Sequence, residues 1–168
     1  GVPVEPDQGR NVHLSEQQAY DLARNVLAEY ELRTGSAPLR VVLHKTSYFD
    51  AAEQVGFAAA LRDTPILSMV TLVPSLFRLL RYGAYPPKVG TVCIVNGDRA
   101  FLFTSGFMPE LGTYPGPHVP QPFDVRCLGA EGAIAAAQDV LNLTRMNWNT
   151  ADIRGKWPVS LSFARRVG

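Results

Sequence analysis

Residues 41–49 read Val41-Val42-Leu43-His44-Lys45-Thr46-Ser47-Tyr48-Phe49. Leu39 to His44 is rich in branched apolar side chains, and this predicts a buried strand. The strand runs out into His-Lys-Thr-Ser. Polar and basic groups there would stand at the carboxyl end of a strand, where open α/β sheets bind ligands. The same residues suit a solvated strand end entering a turn, and composition alone leaves both readings open.

On the upstream side, residues 1–14 read as a loop. Ser15 and Gln18 have capping-box spacing. Ala19, Leu22, Ala23, Val26, Leu27 and Tyr30 then recur at helical spacing, with Gly35 as a left-handed stop. Downstream, Asp50 and Glu53 have the spacing of a second cap, which predicts a helix to about Leu61. Ile66 to Val73 reads as a strand, and Pro74 to Leu80 as a short helical or irregular link. Thr91–Val95 and Ala100–Thr104 flank Asn96-Gly97, which predicts a hairpin with a tight turn or a wider loop through Arg99. Met108 to Pro122 is a proline-rich loop of a length that is often functional. Phe123 to Leu128 reads as a strand. Glu131 to Met146 reads as a helix with Ile134, Ala135, Val140, Leu141 and Leu143 available for burial. Residues 147–157 read as a connector and Pro158 to Gly168 as a last helix. Helices that alternate with strands and then give way to a hairpin predict an α/β layered domain with a mixed sheet.

The whole-chain numbers exclude more than they assign. The chain has 168 residues, is 46% hydrophobic and 18% charged, and carries net charge +1. That is enough for one domain with a core and argues against disorder. A nucleic-acid surface would have to come from local clustering of cations. Cys93 and Cys127 sit in apolar runs and read as reduced core thiols. No zinc-ligand spacing, phosphate-loop motif or serine-nucleophile elbow is present. The apolar run near Ile66 is too short to span a bilayer, and the first residues lack the apolar stretch of a signal peptide. A cytoplasmic location and a piece of a longer chain are the expectations.

Five segments, in order, resemble the PIWI domain of prokaryotic Argonautes. They are His44-Lys45-Thr46-Ser47 with the capped helix and strand after it; Leu80 to Thr91, before the hairpin; Gly112 to Pro122, after it; Leu143 to Asn149; and Pro158 to Arg165. The resemblance runs from about residue 10 to the end. It implies an RNase H-like fold and places residues 1–168 in the C-terminal portion of one PIWI domain. It also implies a short guide strand and a complementary target strand as partners, with a MID domain in the same full-length chain. Active members of the family cleave the target with two divalent metals held by a carboxylate-rich tetrad. Paired hard cations need such ligands to stabilise the attacking and leaving oxygens.

The chain departs from that pattern at two positions. Thr46 stands where the resemblance places a metal-binding Asp. Arg165, after Phe163-Ala164, stands where it places the last tetrad member. Asp50 could stand in for Thr46, but its spacing to Glu53 favours a helix cap. The expectation is therefore a nuclease-dead module with no catalytic residue and no metal of its own. In the full-length protein a divalent cation such as Mg²⁺ at the guide 5′ phosphate is compatible with the family. Binding should persist through phosphate contacts. The candidate contacts are Lys45, Ser47, Arg78, Arg81, Lys88, Arg145, Asn147, Asn149, Arg165 and Arg166, with Lys45 and Arg165 expected to share the groove of the lost site. Arg78 and Arg81 equally suit a solvated helix face. Asn147 and Asn149 equally suit a connector that Trp148 anchors. The expected role is recognition of guide–target duplexes in defence against invading DNA, with a separate effector protein and no membrane contact. An active nuclease with relocated acids and a structural module without nucleic-acid binding are the alternatives.

Overall fold

The computed structural model describes residues 13–79, 82–83, 87–112, 120–146 and 155–167. Helix α1 (Glu16–Thr34) begins at the predicted capping box, where the Ser15 hydroxyl accepts from the Gln18 amide and Gln18 returns the bond. It stops at Gly35, whose φ of 74° is left-handed and favours glycine. Strand β1 (Arg40–Lys45) follows, then α2 (Ala51–Ala60) and β2 (Ile66–Pro74). Asp50 caps α2 in a second reciprocal box with Glu53. Short strands β3 (Val92–Ile94) and β4 (Arg99–Leu102) form the hairpin. A single 3₁₀ turn, Pro109–Leu111, precedes β5 (Phe123–Gly129), α3 (Gly132–Arg145) and α4 (Val159–Val167).

The five strands form one mixed sheet in the order β1-β2-β5-β4-β3. Strands β1 and β2 are parallel, with Lys45 opposite Thr71. The remaining pairings are antiparallel, with Thr71 opposite Arg126 and Asp124 opposite Phe101. Because side chains alternate along a strand, each face of the sheet builds its own core. On one face α1 and α2 cover β1 and β2 through Ala19, Ala23, Leu27, Phe57, Leu61, Met69, Val41 and Leu43. On the other, α3 and α4 cover Val70, Leu72, Leu102, Phe123, Val125 and Cys127, with Val42 at the margin. Helices α1 and α2 approach closely because residue 56 is glycine: a Cβ there would lie 2.2 Å from the Glu16 carbonyl oxygen.

Two expectations change, and two open alternatives are decided. Val26 and Tyr30 of α1 are 61% and 43% exposed, not buried. Strand β1 is the outermost of the described strands, and beside it they line an apolar groove of about 570 Å³ with Leu14, Leu22 and Pro38. In α3 the buried line is Ala133, Ala136, Ala137, Val140 and Thr144, while Ile134 is 62% exposed. The small alanine face lets the helix lie close on the sheet. The hairpin uses the wider loop: Val95 and Asn96 amides both donate to the Arg99 carbonyl, and Gly97 is not left-handed. Pro74 ends β2, and the link after it takes the irregular of the two forms expected. Both cysteines are free thiols, Cys127 fully buried and Cys93 only partly so.

Candidate nucleic-acid interface

Strand alternation splits the His-Lys-Thr-Ser segment between the two faces of the sheet. His44 turns toward α4, where its Nδ1 lies 2.8 Å from the Ser160 hydroxyl. Its Nε2 is buried without a hydrogen-bond partner. Burial holds the ring below the ordinary histidine range, and Arg40 lowers it further against the opposing pull of Asp139. Arg40 is itself engaged by Glu131 and Asp139.

Lys45 turns the other way, onto α2. Its ammonium donates to both carboxylate oxygens of Glu53. His13 Nδ1 lies 3.2 Å from that ammonium and 3.3 Å from Glu53 Oε2. Glu53 is only 1% exposed, and it also accepts from the amides of Leu14 (3.0 Å) and Asp50 (3.1 Å). Burial pushes its carboxyl up, but Lys45, the two amides and His13 outweigh that and hold it below the usual carboxylate range. Lys45 is thus an internal counter-ion, not a free phosphate ligand.

The same cluster holds the one set of metal-type ligands found among the described residues. One ligand atom each from His13, Asp50 and Glu53 lie within 4.8 Å of one another. The mixed nitrogen and carboxylate donors would suit a divalent ion. The Lys45 ammonium already supplies the positive charge there. Asp50, weighed as a stand-in ligand, acts as the α2 cap: its Oδ1 accepts from the Glu53 amide at 2.7 Å. Thr46 is exposed at the end of β1, and the Ser47 carbonyl accepts from the Thr71 hydroxyl at 3.5 Å.

Arg165 lies on α4, its guanidinium 3.8 Å from the centre of the Trp157 ring, which in turn packs on Phe123. Lys45 and Arg165 therefore belong to opposite layers, and the single groove expected to hold both is not formed. The physical reason is the period of two along β1: Lys45 shares the face of Val41 and Leu43, whereas α4 meets the face of Val42 and His44. Arg166 is exposed beside Arg165, and Arg145 is exposed in the last turn of α3. Lys88 is exposed where it bridges to Phe107. Arg78 folds back onto the carbonyls of Leu76 (3.0 Å) and Phe77 (3.1 Å). Arg81, Asn147 and Asn149 lie outside the described residues.

A second cationic group escaped the sequence reading. Arg99 of β4 holds Asp124 of β5 in a fork, at 2.9 and 3.0 Å. Arg126 contacts the same carboxylate at 3.4 Å and lies 4.5 Å from the centre of the Tyr48 ring. The signal was partial. In Asp-Val-Arg (124–126) polar and apolar residues alternate, whereas in Arg-Ala-Phe-Leu (99–102) only the burial alternates, and this shows in the structure and not in the residue types.

No protein-family model matches the chain, and no curated protein matches its sequence. Solved structures do match its fold. A crystal structure of Aa-Ago with externally bound siRNA superposes with a TM-score of 0.69 at 18% identity, over 94% of this chain and 21% of that one. A crystal structure of A. aeolicus Argonaute gives 0.62 at 18% identity, over 94% and 22%. The mixed five-stranded sheet with its helices thus matches the RNase H-like fold of those Argonaute structures. The chain spans about a fifth of the length of those Argonaute chains.

Proposed function

We propose that this chain is the part of an Argonaute-like protein that holds a guide–target duplex without cutting it. The fold it shares with Argonaute carries the reading. The chemistry of the strand end supports the loss of cleavage. Two-metal hydrolysis requires converging carboxylates. Thr46 offers a neutral hydroxyl where the family pattern has an acid, and Arg165, at the other patterned position, stacks its cation on Trp157 and supplies no metal ligand. What remains suits phosphate: exposed Arg145, Arg165 and Arg166, with Lys88 at the hairpin base. Such contacts fix the position of a duplex, while base pairing supplies sequence selectivity.

The proposed setting is prokaryotic defence against invading DNA. Guide, target and a MID domain are the partners, and an associated effector acts once a target is bound. A divalent cation at the guide 5′ phosphate would belong to the full-length protein. A filter-binding assay on that protein, with a 5′-phosphorylated guide and its complement, tests the reading. Replacing Arg165 and Arg166 with Ala should weaken duplex binding and flatten its salt dependence by about 0.9 in log–log slope per lost contact. Guide-directed cleavage with Mg²⁺ or Mn²⁺ would sink the proposal of inactivity.

A second reading has a specific observation behind it. The His13–Asp50–Glu53 set could serve a relocated metal centre. It predicts cleavage that disappears in Glu53→Gln. Lys45 weighs against it, since its ammonium engages both Glu53 oxygens.

A further inference from the structure

We propose that the outward face of β4 and β5, together with Tyr48, is a binding site for single-stranded nucleic acid. The proposal rests on the reading of this chain as a nucleic-acid module and assigns it a second, separate contact. Ala100, Leu102, Val125 and Cys127 point inward and are fully buried. Their neighbours Arg99, Phe101, Asp124 and Arg126 therefore lie on the opposite face, where Asp124 is buried and the other three are half-buried. Helices α1 and α2 lie over β1 and β2, so this half of the face carries no helix among the described residues.

The outward side chains form a ladder of rings and guanidinium groups. Phe77 stacks on Phe101 with ring centres 4.3 Å apart and planes 5° from parallel. The Arg99 guanidinium follows, 5.2 Å from the Phe101 centre. Asp124 then joins Arg99 to Arg126, and Arg126 lies against Tyr48. Two guanidinium groups share one carboxylate, which leaves one positive charge uncompensated. The outer end is open: the Arg126 side chain is 41% exposed and Tyr48 is 46% exposed.

Aromatic rings beside arginines are the chemistry that single strands require. Unpaired bases stack on ring faces and guanidinium planes, while the spare N–H groups take phosphate oxygens. A duplex hides its base faces and would use only the charge. An ordinary surface ion pair would explain Arg99 with Asp124. It gives no reason for a second arginine on the same acid, or for an exposed tyrosine under it.

The experiment measures fluorescence anisotropy with the full-length protein. The probes are labelled oligothymidylate, labelled oligouridylate and a labelled guide–target duplex. Tyr48→Ala combined with Arg126→Ala should weaken single-strand binding roughly tenfold or more, the size expected for losing one stacked base and its charge partner. Duplex affinity should change by less than about threefold, since one phosphate contact at most is lost. Tyr48→Phe keeps the ring and should bind single strands as wild type does. Arg126→Gln alone should lower the single-strand salt slope by about 0.7. Because both side chains are exposed, the variants should melt at the wild-type temperature by circular dichroism. Should the double variant melt early, Arg126→Gln carries the test through the single-strand salt slope. Unchanged single-strand affinity and salt slope would overturn the platform while leaving duplex holding intact. Platform-dependent single-strand binding without duplex binding would instead support the platform and overturn duplex holding. Failure to bind either probe would remove both.

Discussion

Lys45 and Glu53 form an ion pair in which the acid is almost wholly buried. Removing one partner of such a pair strands the other charge in a poor solvent. Lys45→Ala should therefore cost about 3–5 kcal/mol in urea unfolding. Two amides and His13 remain to temper that loss. The pair also sets a pH dependence. The Glu53 carboxyl is held low in the folded state, so its contribution is complete above the ordinary glutamate pKa, about 4.3. It disappears as pH falls through the lower folded value. His44 gives a second dependence nearer neutrality. Its ring is also held low, by burial, so the unfolded chain takes up the proton first. Stability from His44 is intact above about pH 6.5 and declines as pH falls below that value. His44→Gln should remove this slope from unfolding midpoints measured between pH 7 and 5; a slope that survives the change would assign it to another group.

Helices α1 and α2 meet across a contact that only a hydrogen atom can occupy. At Gly56 a methyl group would sit 2.2 Å from the Glu16 carbonyl oxygen and 2.9 Å from the Ala19 side chain. Alanine is the better helix former by about 1 kcal/mol. Forcing atoms into a close-packed contact costs about 1–3 kcal/mol, and here one of them is backbone. Gly56→Ala should thus lower the melting temperature in spite of its propensity, and a rise would show that the helices separate easily. The consequence reaches the interface. Helix α2 carries Glu53 and its cap Asp50, so a shift in α2 moves the partners of Lys45. The β3–β4 hairpin shows the opposite case. Its loop takes the wider form, so Asn96-Gly97 serves as a loop and not as a left-handed turn.

Among the described residues of the whole molecule, one side of the sheet is incompletely covered. Strand β1 is the outermost of the described strands, and α1 presents Leu22, Val26 and Tyr30 beside it. Apolar patches of this kind favour association. A hydrophobic dye such as anilinonaphthalene sulfonate should bind the groove of the folded protein. Val26→Glu with Tyr30→Glu should reduce that fluorescence with little change in stability, because both side chains are already substantially exposed. Dye binding that persists in the variant would place the apolar surface elsewhere. Charge follows the same logic of local distribution. A net charge of +1 coexists with exposed arginines on α4 and half-buried ones on β4 and β5. Average charge is therefore a poor guide to this surface.

Local chemistry in the chain was sufficient for its elements. Both capping boxes, the left-handed stop at Gly35, the order of helices and strands and the mixed sheet follow from short-range spacing, because caps and alternation act within a few residues. The ordered resemblance of five segments added the RNase H-like class, which the matching folds bear out. Which candidate cations stand free depended on folding. His44 and Lys45 are neighbours in sequence, yet the pleat sends one to α4 and the other to Glu53. Val26 and Tyr30 have core spacing, yet no strand lies beneath them among the described residues. Arg99 and Arg126 are 27 positions apart, and pairing of β4 with β5 sets them on one carboxylate. Burial and long-range pairing are properties of the assembled sheet. For that reason the shape of the candidate interface, unlike its elements, emerged only once the strands were aligned.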